Sequence, residues 1–139
     1  MTELILEVFR LNARLLEAGD ALVADFGLTS ARWQALGAVA DSSSPLPVAS
    51  IARNMGLSRQ AVQRVVNEMN ADGLVRFEIN PHHERARLVV MTDAGEAAYA
   101  AAMRKQRRWA GALGGAVAAK NIDVAVAALR ALRLRLEES

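Results

Sequence analysis

Residues Ala52–Val66 read ARNMGLSRQAVQRVV. A small alanine, a glycine four residues on and a serine two further have the form of two short helices joined by a tight turn. Such a helix-turn-helix needs a small residue where the helices touch, a glycine in the turn, and apolar residues inside the second helix. Ala52, Gly56, Val62 and Val65 supply these, and Ser58 stands where a capping oxygen is wanted. At about 100° per residue, Val62, Val65, Val66 and Met69 fall on one side of the second helix. Gln60, Gln63, Arg64 and Asn67 fall on the other, Arg59 lies at the flank, and no carboxylate intervenes before Glu68.

That outer face has a specific chemistry. Glutamine or asparagine can pair bidentately with the adenine edge, and arginine with guanine O6 and N7. Ser58 and the free N–H groups at the helix start suit a phosphate oxygen. The alternative is the solvated face of an ordinary surface helix, and the segment that follows argues against it. Val75, Phe77 and Ile79 alternate with Arg76 and Glu78 as in a half-buried strand. Asn80–Glu84 is a polar turn, and Ala86–Met91 is β-prone again, so a hairpin is expected. Its tip and return carry His82, His83, Arg85 and Arg87 against Glu84 alone. A basic wing beside a recognition helix can lay an arginine into a narrow minor groove; alternatively Arg85 and Arg87 pair with Glu78 and Glu84 across the strands. The adjacent histidines are half a zinc site at most, since the chain has no other histidine and no cysteine. They read as solvated wing residues that gain charge as pH falls.

Outward from this centre the chain is helical. Leu4, Ile5, Val8, Leu11, Leu15, Leu22 and Val23 recur at helical spacing over 2–26. Gly27 suits a left-handed cap, and Thr29 can cap a second helix to about Ala40. Asp41–Pro47 is a loop by composition, with Pro47 suited to the first turn of a third helix ending near Met55. The recognition helix runs to about Ala71, before Gly73. After the hairpin, Thr92 can cap a long helix to about Leu113, Gly114 and Gly115 loosen it, and a last helix spans about Asp123–Glu138. The expected fold is therefore mainly α with a small β-hairpin. A winged helix-turn-helix over 28–92 is flanked by helices over 1–26 and 93–139 in a single domain.

Bulk properties bound the function. The 139 residues are 53% hydrophobic with a net charge of +2, a weak bias toward a polyanionic partner. Without cysteine there is no disulfide or thiol switch. No uncharged stretch approaches the ~18 residues of a bilayer span, and no basic region precedes an apolar run at the start, so neither membrane insertion nor a cleaved leader is expected. These features suit a cytoplasmic protein. There is no Gly-rich phosphate loop, no Ser-His-Asp order and no metal-ligand cluster, so no catalytic residue, cofactor or metal is expected.

From Leu28 to Gly95 the chain resembles the MarR family of winged-helix regulators. The residues concerned are Leu28, Thr29, Arg32, Trp33 and Leu36, then Ile51, Ala52 and Met55–Ser58, then Val65, Met69 and Gly73–Val75. Asn80, Pro81, Arg85–Leu88, Met91, Thr92 and Gly95 complete the match. The resemblance implies a homodimer joined by the first and last two helices, a recognition helix in the major groove and a wing in the minor groove. It makes Arg85 the wing-tip arginine, and it implies a small aromatic or anionic effector bound between the dimer helices and the DNA-binding lobe. The family wing often has acidic residues where Asn80 and His83 stand, and these help hold the wing arginine; here Glu84 could substitute for them.

Expected DNA contacts are Ser58, Arg59, Gln60, Gln63, Arg64, Asn67, His82, His83, Arg85 and Arg87. Trp33, Tyr99, Met103 and Trp109 are candidates to line an effector cavity, with core packing as the commoner role of such side chains. Arg10 and Arg14 could meet an anionic effector, or be surface charges. The basic run Arg104, Lys105, Arg107 and Arg108 reads as facing a partner subunit or solvent. Leu129, Leu132 and Leu136, with the apolar stripe of the first helix, point to a dimer on a palindromic double-stranded operator, with half-sites about 34–36 Å apart or a multiple of that. The rival function is a winged helix that binds only protein, which would need an acidic or apolar outer face.

Overall fold

A computed structural model describes residues 1–139. It contains six α-helices and a small antiparallel sheet: α1 Thr2–Val23, α2 Ser30–Asp41, β1 Leu46–Pro47, α3 Val48–Met55, α4 Arg59–Ala71, β2 Val75–Glu78, β3 Leu88–Met91, α5 Asp93–Gly114 and α6 Ala119–Glu137. The mainly helical winged-helix architecture expected from the sequence is present. The chain packs as two compact units, Met1–Lys105 and Gln106–Ser139. The first takes in α1 and the start of α5 together with the central helices and the sheet.

The core of the first unit is built from the inner faces predicted by periodicity. Leu36, Ile51, Val62, Val66, Met69, Val75 and Val89 are fully enclosed, and Leu22, Phe26, Trp33, Val65, Phe77 and Tyr99 pack around them. Gly56 takes the left-handed φ of 65° that the tight turn needs, a conformation costly for any residue with a Cβ. Ala52 is buried, and its carbonyl accepts from Leu57 N at 3.1 Å. Ser58 Oγ accepts from Ala61 N at 3.1 Å, so the cap read from the sequence is made. Thr29 caps α2 in the same way, through Arg32 N.

Several boundaries differ from the sequence reading. The first helix ends at Val23, and Ala24–Phe26 form a single 3₁₀ turn. There Leu28 N bonds back to Val23 O, which carries the buried Leu28 into the core. The loop Asp41–Pro47 contains a strand: Leu46 and Pro47 pair with Val89 and Leu88, giving the order β1-β3-β2. Pro47, which has no N–H to donate, is tolerated because β1 lies at the sheet edge. It stands just before α3, at the capping position rather than in the first turn. Ile79, expected to point inward, lies past the end of β2 and is 81% exposed. The return strand starts at Leu88, two residues later than expected.

At the junction of β3 and α5, Thr92 N donates to Leu74 O, while Thr92 Oγ1 donates to Gly73 O at 2.6 Å and accepts from Gly95 N at 3.1 Å. Gly95 is buried with no room for a Cβ, because the Leu74 carbonyl fills that space. In the second unit, α6 begins at Ala119, four residues before the expected Asp123, on backbone bonds from Asn121 and Ile122 to Ala118 O and with no side-chain cap.

Candidate nucleic-acid interface

The outer face of α4 is as the count of faces predicts. Arg59, Gln60, Gln63, Arg64 and Asn67 are exposed, while Val62, Val66 and Met69 are buried. Gln63 Nε2 donates to Asn67 Oδ1 at 2.9 Å, one turn along the helix. Glu68, the first carboxylate on α4, is turned toward Arg32, 3.8 Å away. Arg32 also bonds Asp72 at 2.7 Å and the Gly27 carbonyl at 3.2 Å, tying the C-terminal end of α4 to the turn before α2.

The wing is organised by Asn80, which stands where the family wing often has an acidic residue. Asn80 is buried, its Nδ2 donates to Ala86 O at 3.0 Å, and its Oδ1 accepts from His82 N at 3.0 Å. His83 N to Asn80 O and Ala86 N to His83 O add two further turns. This one amide spans the loop from both of its ends, while Glu84 forms no ion pair with Arg85. The Asn-Pro pair at 80–81 was the available signal, since asparagine bonds its own backbone two residues on.

Neither Arg85 nor Arg87 pairs with a carboxylate; Glu78 is held instead by Arg76 at 2.8 Å. The Arg87 guanidinium lies over the Phe77 ring, 5.1 Å from its centroid, within the range of a cation–π contact. Between α4 and the wing is an open groove of about 860 Å³. Arg59, Gln60, Gln63, Arg64 and Asn67 of α4 line it together with Phe77, His83, Arg85, Ala86 and Arg87 of the wing and the segment Pro47–Ala49. Four arginines thus face one concavity, and none of its lining residues is a carboxylate. Of the ten expected contacts, Ser58 and His82 stand outside this lining. Phe77 and the Pro47–Ala49 segment were not foreseen, because only strand pairing brings them there.

The candidate effector residues are more dispersed. Arg10 pairs with Glu7 at 3.3 Å and Arg14 with Glu17 at 2.9 Å, all on the exposed surface of α1. Trp33 and Tyr99 pack against the core of the first unit, and Met103 is half-buried on α5. Burial, and secondly the Asp41 carboxylate, push the Tyr99 phenol above its ordinary range. Trp109 belongs to the second unit. Within the basic run, Lys105 bonds Asp25 at 3.2 Å and lies 5.8 Å from the Phe26 ring centroid, while Arg104, Arg107 and Arg108 are solvent-exposed.

No single helix is long and apolar enough to cross a membrane. The MarR family model matches residues 26–86, which contain the helix-turn-helix and most of the wing. An uncharacterized protein of Mycobacterium tuberculosis is 39% identical over 95 residues, 68% of this chain; the match spans 65% of that relative's length. The fold matches CouR from Rhodococcus jostii RHA1, solved bound to p-coumaroyl-CoA, with a TM-score of 0.80 over 90% of this chain and 87% of that one, at 18% identity. A MarR family transcriptional regulator from Streptomyces coelicolor superposes with a TM-score of 0.82 over 98% of this chain and 94% of its own, at 30% identity. With that identity over nearly the whole length of both chains, this protein belongs to the MarR family of transcriptional regulators.

Proposed function

We propose that the chain binds double-stranded DNA sequence-specifically as a homodimer, and represses transcription until a small aromatic or anionic effector releases it. The observation that carries this reading is the carboxylate-free groove in which Arg59 and Arg64 from α4 meet Arg85 and Arg87 from the wing. In this reading α4 enters the major groove, with Gln60, Gln63, Arg64 and Asn67 toward base edges and Arg59 toward the backbone. Ser58 and His82, at the margins, serve phosphate oxygens; the Ser58 hydroxyl can donate while its oxygen accepts from Ala61. Arg85, with no ion pair to give up, enters the minor groove, and His83 and Arg87 support it. A dimer so placed on a promoter excludes the polymerase, which is the simplest route to repression, and it acts in the cytoplasm where the DNA is.

Dimerisation is supported by apolar surface that the protomer leaves open. On α1, Ile5, Leu6, Phe9 and Leu11 are between 45% and 68% exposed. On α6, Val124 is 69% exposed and Leu136 76%. Large apolar side chains left exposed in this number suit an interface between copies. For the effector, Trp33, Tyr99 and Met103 offer an aromatic and apolar lining, with the Tyr99 phenol a neutral donor at physiological pH. Arg10 and Arg14 can reach an anion at small cost, since exposed pairs such as theirs are worth roughly 0–1 kcal/mol. The small-molecule ligand of the similar fold CouR supports a ligand-responsive design. A purely protein-binding winged helix is disfavoured by the basic and amide character of the outer face of α4.

The test is titration of the purified protein on DNA from its own upstream region and on a random-sequence pool, against salt and competitor. Selective, salt-sensitive binding with two protomers per site is expected. Weak binding with no enriched sequence in the pool would overturn the DNA reading in favour of a protein-binding module.

A further inference from the structure

Gln63 and Asn67 are exposed one turn apart on α4, line the groove together, and bond to each other rather than to any third side chain. We propose that this hydrogen-bonded pair is a single reading unit that selects an adenine–thymine base pair and rejects guanine in its place. The inference rests on the DNA-binding function proposed above and adds a specificity to it.

Two independent primary amides can each turn over. Both can then present their NH₂ groups, which suits the two acceptors, O6 and N7, of guanine. The internal bond opposes that freedom. With Gln63 Nε2 committed to Asn67 Oδ1 at 2.9 Å, Gln63 Oε1 is left as an unpaired acceptor and Asn67 Nδ2 as an unpaired donor. The second N–H of Gln63 sits on the nitrogen already held, so it adds no freedom to turn. If both amides turn over together the bond reverses, and the pair again keeps one free oxygen and one free NH₂. Adenine matches this in either sense, because N6–H₂ donates and N7 accepts. Guanine, which offers only the acceptors O6 and N7, would leave the free oxygen of the pair without a donor. Guanine is instead the natural partner of Arg59 or Arg64 on the same face. Glu68, whose carboxylate could accept from cytosine N4, is turned toward Arg32.

The experiment is a random-sequence selection, followed by affinity measurements, on the full chain and on Gln63→Ala, Asn67→Ala, Asn67→Asp and the double alanine variant. Thermal unfolding confirms that each is folded, which exposed helix positions replaced by a strong helix former should permit. The expected parent motif has an A·T pair at one position in each half-site, with G·C there binding roughly tenfold to a hundredfold more weakly. Either alanine substitution should relax that position to within a few-fold and leave the rest of the motif intact, and the double variant should go no further. Asn67→Asp retains an acceptor for Gln63 but cannot donate, so it too should lose the adenine preference. Full A·T preference surviving Asn67→Ala would overturn the inference, as would single losses that add completely in the double variant, or a parent motif with G·C at the position that Gln63→Ala relaxes. If the parent enriches no motif, the DNA-binding function itself fails and this inference with it, an outcome distinct from the other three.

Discussion

Arg85 and Arg87 leave the same wing with different neighbours. The guanidinium of Arg87 rests over Phe77, 5.1 Å from the ring centroid, while Arg85 is exposed and unpaired. Arg85 therefore has no contact to give up for the proposed DNA contact. Arg85→Ala should weaken operator binding by roughly 1–3 kcal/mol with no change in oligomeric state, measured by fluorescence anisotropy beside sedimentation; unchanged affinity would remove it from the interface. Asn80 acts on the wing from inside. Asn80→Ala leaves Ala86 O and His82 N without their partner, at a cost of about 1–2 kcal/mol of stability in urea unfolding. Faster amide exchange at His82 and Ala86 should accompany it, together with weaker operator binding. The residue types of this site were legible in the sequence. Their neighbours were not: Phe77 comes under Arg87 only because Phe77 pairs with Val89 and Glu78 with Leu88.

The elements show where local chemistry was enough. Ser58 caps α4 through Ala61 N, and Ser58→Ala should lower stability by about 1 kcal/mol. Ser58→Gly should lose only a few tenths, because glycine is itself an acceptable cap; equal losses would mean that the hydroxyl matters beyond the cap. Gly95 belongs to an element junction. A Cβ there would overlap the Leu74 carbonyl, and backbone cannot move aside as a flexible side chain can. Gly95→Ala should therefore destabilise by roughly 1–3 kcal/mol, possible only with a shift of α5 against β2, and be visible as a lower Tm; an unchanged Tm would refute the close approach. The Ser58 and Thr29 caps, the Gly56 turn and the faces of α4 were legible because each depends on residues within one turn of chain. The strand Leu46–Pro47 was not, since nothing in a serine- and proline-rich segment announces pairing with a strand forty residues later. The inward turn of Asn80, which leaves Ile79 outside, likewise reversed a simple alternation of apolar residues.

At the scale of the molecule, the apolar surface left open on α1 is the feature most in need of a partner. Phe9 is 68% exposed, with the exposed Ile5 and Leu6 one turn before it. Phe9→Asp should shift the protein from dimer to monomer in sedimentation and lower operator affinity, because two half-sites no longer bind as one. Retention of the dimer would exclude this face from the interface. Ile5 and Leu11 belong to the helical apolar stripe legible in the sequence, whereas Leu6 and Phe9 lie outside it. A stripe, however, has the same appearance whether its own protomer covers it or a second one does.

What the sequence determined by itself is what acts over one or two turns of chain: the helix-turn-helix, its glycine and caps, the inner and outer faces of α4, and the basic wing. Helical periodicity and capping depend on residues close enough in sequence to touch whatever the rest of the chain does. Long-range contacts set the sheet register, the Phe77 support beneath Arg87 and the convergence of four arginines on one groove. These depend on which distant strands pair, and that follows from burying Val75 and Val89 against the helices rather than from any local preference of the segments themselves.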